Sequence, residues 1–189
     1  MAMPIRVDDV TTIEQLLALP DDGLRHELLD GVHVVTPAPA YPHQAALLVM
    51  IRALDPPLQR SEALALLPSP ADIRFGPQVL VQPDLFVFRK EPGHRVREWS
   101  EIGVPVLAIE FLSPSTAARD RGKKRRIYQR AGVAEYWIVD LDARLVERWR
   151  PEDVRPEILD ERLVWAPPEL PAPLTLDLPA LFTEVLGPA

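Results

Sequence analysis

The chain has 189 residues, a formal net charge of −7 and no cysteine. Its length fits one domain with a sizeable core, so we expect residues 1–189 to form a single domain. The lack of cysteine excludes disulfides, thiolate zinc sites and cysteine nucleophiles. No apolar run approaches the ~20 residues needed to span a bilayer, and the first residues lack the apolar region of a signal peptide. We therefore expect a cytoplasmic protein that does not enter a membrane.

The distribution of charge along the chain differs from its sum. An acidic chain should repel phosphates at long range, which argues against a nucleic-acid partner. Residues 119–130, however, carry seven Lys or Arg against one Asp. Three arginines of this run, Arg119, Arg121 and Arg125, are therefore candidate contacts to nucleic-acid phosphates. The alternative is that the run is an ordinary solvated surface.

The first predicted elements are a short helix and a hairpin. Thr11 and Glu14 have the spacing of a capping box, which predicts a helix that begins there. The Asp30-Gly31 pair between two short runs predicts a tight β-hairpin.

The hairpin and the helix after it each carry a candidate site residue. In the first arm of the hairpin, strand alternation places Arg25 and Glu27 on one face. Residues 41–54 have the periodicity of a helix, with His43 on its apolar face. A histidine in that position can also be an ordinary hydrogen-bonded core residue, and both interpretations stay open.

The rest of the chain predicts strands interrupted by helices. Residues 63–88 are strand-like, and residues 104–111 form a nearly continuous apolar run, as in a central strand covered on both faces. A helix follows, with Gly132 as its predicted C-cap. Three more strands are expected in residues 135–165 and a terminal helix in residues 177–187. This order predicts an α/β (α+β) fold with a mixed sheet flanked by helices rather than a regular βαβ repeat.

Two carboxylates and one lysine suggest a metal site. Asp84 opens an apolar strand, and Glu110 is the only charge in the run 104–111. On the helix that follows, Lys124 lies four residues after Asp120. Two carboxylates on adjacent strands suit a hard divalent cation, Mg²⁺ or Mn²⁺, which would polarise a phosphate and lower the pKa of a bound water. The lysine would stabilise the attacking hydroxide or the charge that develops on phosphorus.

Each of these residues also has a purely structural explanation. Asp84 could satisfy the backbone of a turn, and Glu110 could form a buried ion pair with Lys124 or Arg25. Lys124 could instead lie on a solvated helix face. Tyr128, four residues further on, could be a core residue whose hydroxyl finds a partner.

Several motifs together resemble a known family. The chain contains HELLDG at 26–31, PDLFVF at 83–88, IEFLSPST at 109–116, a D-x3-K-x3-Y pattern that starts at 120, and AGVAEYWIVD at 131–140. This set is similar to that of the Uma-two type restriction endonucleases, which belong to the PD-(D/E)XK superfamily. The similarity runs from about Thr11 to Asp140. It implies a restriction-endonuclease-like fold, with a mixed central sheet flanked by helices, and metal-dependent cleavage of DNA.

The resemblance also implies roles for individual residues. Asp84 and Glu110 would bind the metal, and Glu27 would be a further acidic member of the catalytic site. The usual lysine of the superfamily lies two residues after the second carboxylate, where this chain has Leu112. The lysine of this family has moved to the next helix, which makes Lys124 the catalytic candidate. The residues expected to support this site from behind are His43, Asp120 and Tyr128.

Two further functions and the assembly state stay open at this stage. Since cutting both strands of DNA requires two sites, we expect a homodimer. The first alternative is a catalytically inactive nuclease-fold module that binds DNA or another partner, which the charge of −7 and Leu112 favour. The second is hydrolysis of a small phosphate ester, which a closed pocket without a basic rim would favour.

Overall fold

The computed structural model describes residues 10–91 and 93–188. The remaining positions of the predicted domain (1–9, 92 and 189) lie outside the described residues. Within the described ranges, no helix has both the length and the apolar character needed to cross a membrane.

The described residues contain five α-helical segments and twelve strands. The helices are α1 (Ile13–Leu17), α2 (Tyr41–Gln59), α3 (Ala117–Arg119), α4 (Arg125–Ala131) and α5 (Leu178–Leu186), and a π-helical segment at Asp120–Lys124 joins α3 to α4. The strands are β1 (Arg25–Leu29), β2 (Val32–Thr36), β3 (Leu64–Pro68), β4 (Ile73–Arg74), β5 (Leu80–Val81), β6 (Leu85–Arg89), β7 (Leu107–Phe111), β8 (Glu135–Asp140), β9 (Leu145–Trp149), β10 (Glu157–Leu159), β11 (Arg162–Trp165) and β12 (Leu174–Asp177).

The larger sheet is mixed, as predicted. Its strands have the order β10-β9-β8-β7-β6-β3. β7 and β8 are parallel, whereas the other neighbours are antiparallel. A smaller sheet has the order β2-β1-β5-β4, and β11 pairs with β12. β7 therefore lies inside the larger sheet, and all five of its residues are buried, which confirms the predicted central strand.

Strand alternation divides the core between the two faces of the larger sheet. Leu85 and Ile109 pack on the side of α2 and α5. Phe86 and Ala108 pack on the other side, with α4 and the smaller sheet. Because side chains two residues apart share a face, Glu110 points to the same side as Ala108. The carboxylate therefore lies where the larger sheet, α4 and the smaller sheet meet.

Two predicted chain reversals are confirmed. Asp30 and Gly31 both have positive φ, 47° and 73°, as a two-residue hairpin turn requires. Gly132 caps α4 with φ 80°, and its amide returns to the last turn of the helix.

The start of α1 differs from the prediction by one residue. Thr12, not Thr11, is the N-cap, and Gln15, not Glu14, completes the capping box. The Gln15 side-chain oxygen accepts from the backbone amide of Thr12 at 3.1 Å, so a neutral amide fills the place that the pattern assigned to a carboxylate.

Two other boundaries were predicted wrongly. Helix α2 does not end at Leu54 but continues through Pro56 and Pro57. The burial of Leu58 in the core outweighs the loss of the backbone hydrogen bonds that the two prolines cannot donate. Within residues 157–165, the expected single strand is β10 followed by β11, which belong to different sheets. Strand β12 was not predicted.

Candidate active site

A cleft of about 370 Å³ opens between the start of α2 and the chain that follows β7. Residues from segment 36–43 line one wall, and residues from segment 112–120 line the other. Predicted site residues from four separate parts of the chain meet in this cleft. They are His43, Asp84, Glu110, Arg119, Asp120 and Lys124.

Asp84 and Glu110 lie opposite each other on neighbouring strands. Leu85 of β6 pairs with Ile109 of the antiparallel β7, so one further step along each strand sets Asp84 against Glu110. The backbone amide of Phe111 donates to Asp84 Oδ2 at 2.9 Å, which ties the first carboxylate to the strand of the second. The predicted pair of adjacent carboxylates is therefore formed by sheet register.

Two basic side chains hold Asp84, which is 4% exposed. Arg25 Nη1 donates to Oδ1 at 2.7 Å, and His43 Nε2 lies 3.0 Å from Oδ2. Burial alone would raise the pKa of this carboxyl. The hydrogen bond and charge of His43, with the charge of Arg25, outweigh burial and lower the pKa of Asp84 below its usual range. Asp84 is therefore an ionised carboxylate inside the cleft.

Lys124 and Tyr128 both reach Glu110 from the helix that follows β7. Lys124 Nζ donates to Glu110 Oε1 at 2.7 Å, and the Tyr128 hydroxyl donates to the same oxygen at 3.0 Å. Within the described residues, Glu110 Oε2 accepts no hydrogen bond. The alternative of a solvated Lys124 is wrong, because the residue is 1% exposed. The alternative of a buried Glu110–Lys124 ion pair describes this geometry correctly.

Glu27 lies behind Lys124 rather than on the wall of the cleft. Its Oε1 is 2.8 Å from Lys124 Nζ and accepts from the backbone amide of Gln82 at 2.8 Å. The carboxylate is fully buried. Glu27 therefore contacts the predicted catalytic lysine, and it reaches the cleft only through that lysine.

Burial and neighbouring negative charges both raise the pKa of Glu110. Burial raises its pKa to about 8; Lys124 opposes the shift, whereas Asp84, Asp120 and Glu27 add to it. The pKa of Lys124 is raised, because Glu110, Glu27 and Asp120 together outweigh the effect of its own burial, so the lysine stays charged.

The remaining supporting residues also lie at the cleft or against it. Asp120 is 2% exposed, and burial raises its pKa. Its Oδ1 is buried without a hydrogen-bond partner. Tyr128 is fully buried, and burial raises its pKa well above the usual value, so its hydroxyl remains a donor to Glu110. His43 lines the cleft and contacts Asp84, which favours the site interpretation over a core histidine.

The three candidate phosphate contacts have different surroundings. Arg119 lines the cleft. Arg121 lies outside its lining and pairs with Asp140 and Glu147. Arg125 stacks over the ring of Trp149 at 4.6 Å. Only Arg119 among the three thus faces the space where a substrate would bind.

Arg25 is a site residue that the sequence did not single out as such. It lines the cleft, and its guanidinium joins Asp84 to the backbone carbonyl of Gln82. The available signal was its alternation with Glu27 on one face of β1. That signal does not name a partner, because Arg25 and Asp84 are 59 residues apart in the chain.

The residues of the cleft offer the oxygen ligands that a hard divalent cation prefers. Asp84, Glu110 and Asp120 are buried carboxylates of its lining. The described residues contain no group of three or more His, Asp or Glu side chains that could hold a metal ion by themselves. Mg²⁺ takes few protein ligands and keeps several waters, so two opposed carboxylates suit it.

Comparison with known proteins agrees with this architecture. The model of the Uma2 family, described as "Putative restriction endonuclease", matches residues 13–179. The chain is also similar to the crystal structure of "a putative nuclease belonging to DUF820" from Anabaena variabilis ATCC 29413. The two share a TM-score of 0.78 and 23% sequence identity, and the match covers 93% of this chain and 99% of the other. A likeness at this identity supports the fold alone. No match was found among curated proteins.

The family match covers most of the chain and includes Asp84, Glu110 and Lys124. It confirms the resemblance that the motifs carried, and the solved structure confirms the fold class. The chain belongs to the Uma2 family of putative restriction endonucleases.

Proposed function

We propose that the protein is a metal-dependent endonuclease that hydrolyses phosphodiester bonds of DNA. The observation that carries the proposal is the meeting of Asp84, Glu110 and Lys124 in one cleft, with the two carboxylates opposed on neighbouring strands. Asp84 and Glu110 would hold Mg²⁺ or Mn²⁺. A bound cation of this kind polarises a phosphate and lowers the pKa of water.

Each protein side chain has a task that follows from its contacts. The ammonium of Lys124, held by Glu27 and Glu110, supplies fixed positive charge beside the reacting phosphate. His43 and Arg25 keep Asp84 ionised and oriented. Glu27 acts as a positioning residue for the lysine rather than as a group that touches substrate.

A second function is a catalytically inactive module that binds nucleic acid. Two observations favour it: both oxygens of Asp84 already have close protein partners, and Leu112 occupies the position of the superfamily's usual lysine. Hydrolysis of a small phosphate ester has less support, because Arg119 and Arg25 line the cleft and give it basic groups.

Cleavage of supercoiled plasmid by the pure protein tests the proposal. We expect nicked and linear DNA with Mg²⁺ or Mn²⁺ and none with EDTA. Asp84→Asn, Glu110→Gln and Lys124→Met should abolish cleavage. His43→Ala should lower the rate by about 10- to 100-fold, as for residues that orient metal ligands. Direct linear product without a nicked intermediate would support the predicted homodimer.

Glu62→Gln is a matched control, since Glu62 is an exposed carboxylate that does not line the cleft. It should cleave like the wild-type protein. A folded protein that cleaves neither duplex, single-stranded DNA nor RNA, and that fails to bind Mn²⁺, would contradict the proposal and favour the inactive module.

A further inference from the structure

Arg119 differs from the other cations of the cleft in its ion pairing. Arg25, His43 and Lys124 each lie within 3.0 Å of a carboxylate oxygen. The carboxylate that pairs with Arg119 is Asp120, at 3.8 Å from its Nε. Its charge is therefore neutralised less than that of the other three cations.

The guanidinium of Arg119 crosses the cleft from one wall to the other. Its backbone belongs to the wall 112–120, and its Nη2 donates to the hydroxyl of Thr36 on the opposite wall at 3.1 Å. Nε is buried, faces Asp120 and has no hydrogen-bond partner among the described residues. One edge of the guanidinium thus faces Asp120, whereas Nη2 donates to a neutral hydroxyl.

Two other arginines of the same helical run form ion pairs outside the cleft. Arg121 is paired with Asp140 and Glu147, and Arg130 with Asp30. Among the described arginines of this run, Arg119 is the one that lines the cleft. Its position favours an anionic ligand inside the cleft over a general attraction to a basic helix.

We propose that Arg119 binds a phosphate of the nucleic-acid strand that occupies the cleft. Its Nη2 exchanges the Thr36 hydroxyl for a phosphate oxygen, and a hydrogen bond between the guanidinium and an anionic oxygen is stronger than one to a neutral hydroxyl. Asp120 orients the guanidinium plane from the Nε edge. The inference rests on the proposed function, because it takes nucleic acid as the ligand. It adds Arg119 as the residue that holds the sugar-phosphate backbone of the strand.

Fluorescence anisotropy in EDTA tests this inference without cleavage. Labelled single-stranded and duplex oligonucleotides are titrated with wild-type protein and variants over a series of NaCl concentrations. Arg119→Ala should weaken binding about tenfold for every sequence and reduce the slope of log affinity against log salt by about 1. Arg119→Lys should keep the salt slope and lose part of the affinity, because it keeps the charge but not the planar fork.

Two variants make the result specific. Arg130→Ala removes the same charge from the exposed face of the run and should bind like the wild-type protein. Thr36→Val removes the resting partner of Arg119 and should bind at least as tightly as wild type. The inference is overturned if the wild-type protein binds none of the oligonucleotides, or if Arg119→Ala binds like wild type. It is also overturned if Arg130→Ala or Thr36→Val loses as much affinity as Arg119→Ala. If binding depends on Arg119 but no metal supports cleavage, the endonuclease proposal fails alone.

Discussion

Lys124 connects the larger and the smaller sheet through one ammonium group. Its partner Glu27 belongs to β1 of the smaller sheet, and Glu110 belongs to β7 of the larger sheet. Removing charged groups from water is costly, and close ion pairing must offset that cost. A buried cluster of this kind stabilises the protein only while all three side chains are present.

Lys124→Met should therefore destabilise the protein strongly. It leaves Glu27 and Glu110 buried without their cation, and losses of this type are about 3–5 kcal/mol in the free energy of unfolding. Urea denaturation followed by circular dichroism measures the change. Arg130→Ala breaks an exposed ion pair and should cost no more than about 1 kcal/mol. Equal losses in the two variants would show that Lys124 does not hold the sheets together.

The helical run after β7 contains an irregular element. Residues 120–124 are π-helical, and the amide of Arg125 returns to the carbonyl of Asp120 across the wider turn. The sequence predicted a regular helix in which Asp120, Lys124 and Tyr128 share a face. The structure retains all three on the side of Glu110, although Lys124 and Tyr128 contact it and Asp120 lines the cleft instead. Such π segments are frequent at functional sites.

Two glycines of this run should respond to alanine in opposite directions. Gly132 has φ 80°, so Gly132→Ala should cost about 1 kcal/mol through backbone strain alone, since a Cβ there meets no atom within 4 Å. Gly122 also has open space around it and lacks a left-handed φ, so Gly122→Ala should stabilise by about 0.5–1 kcal/mol. Thermal unfolding of both variants measures the difference. If Gly122→Ala destabilises instead, the π segment itself requires glycine.

At the scale of the whole molecule, the cleft adds buried carboxylates to a chain whose net charge is −7. Burial, together with the charges of Asp84, Asp120 and Glu27, raises the pKa of Glu110 from 4.5 to about 8. The stability of the metal-free protein should therefore depend on pH.

In EDTA, the free energy of unfolding should fall as the pH rises from about 4.5 to about 8 and then level off. In that interval the folded protein retains a proton on Glu110 that the unfolded chain has lost, so raising the pH favours unfolding. Urea unfolding over a pH series measures this slope. Glu110→Gln should flatten it, because a neutral amide does not titrate, and Mn²⁺ should also reduce it by stabilising the carboxylate. An identical slope in wild type and Glu110→Gln would rule out Glu110 as its source.

Much of the fold and part of the site could be predicted from local sequence. The hairpin at Asp30-Gly31, the cap at Gly132 and the central strand that carries Glu110 depend on turn chemistry and hydrophobic pattern, which are local properties. The boundary of α2 and the break between β10 and β11 could not be predicted, since burial of distant side chains decided them.

By itself, the sequence determined the family, the mixed α/β character and the identity of the two opposed carboxylates, because motif spacing and an isolated charge in an apolar run are visible along the chain. Only the tertiary structure decided which arginines line the cleft. Three arginines have the same side chain but different partners. Arg25 contacts Asp84 and Arg119 contacts Thr36, both at the cleft, whereas Arg121 pairs with Asp140 outside it. The physical reason is that an ion pair or hydrogen bond depends on the distance between two groups in space. Sheet register and helix packing determine that distance for residues that lie tens of positions apart in the chain.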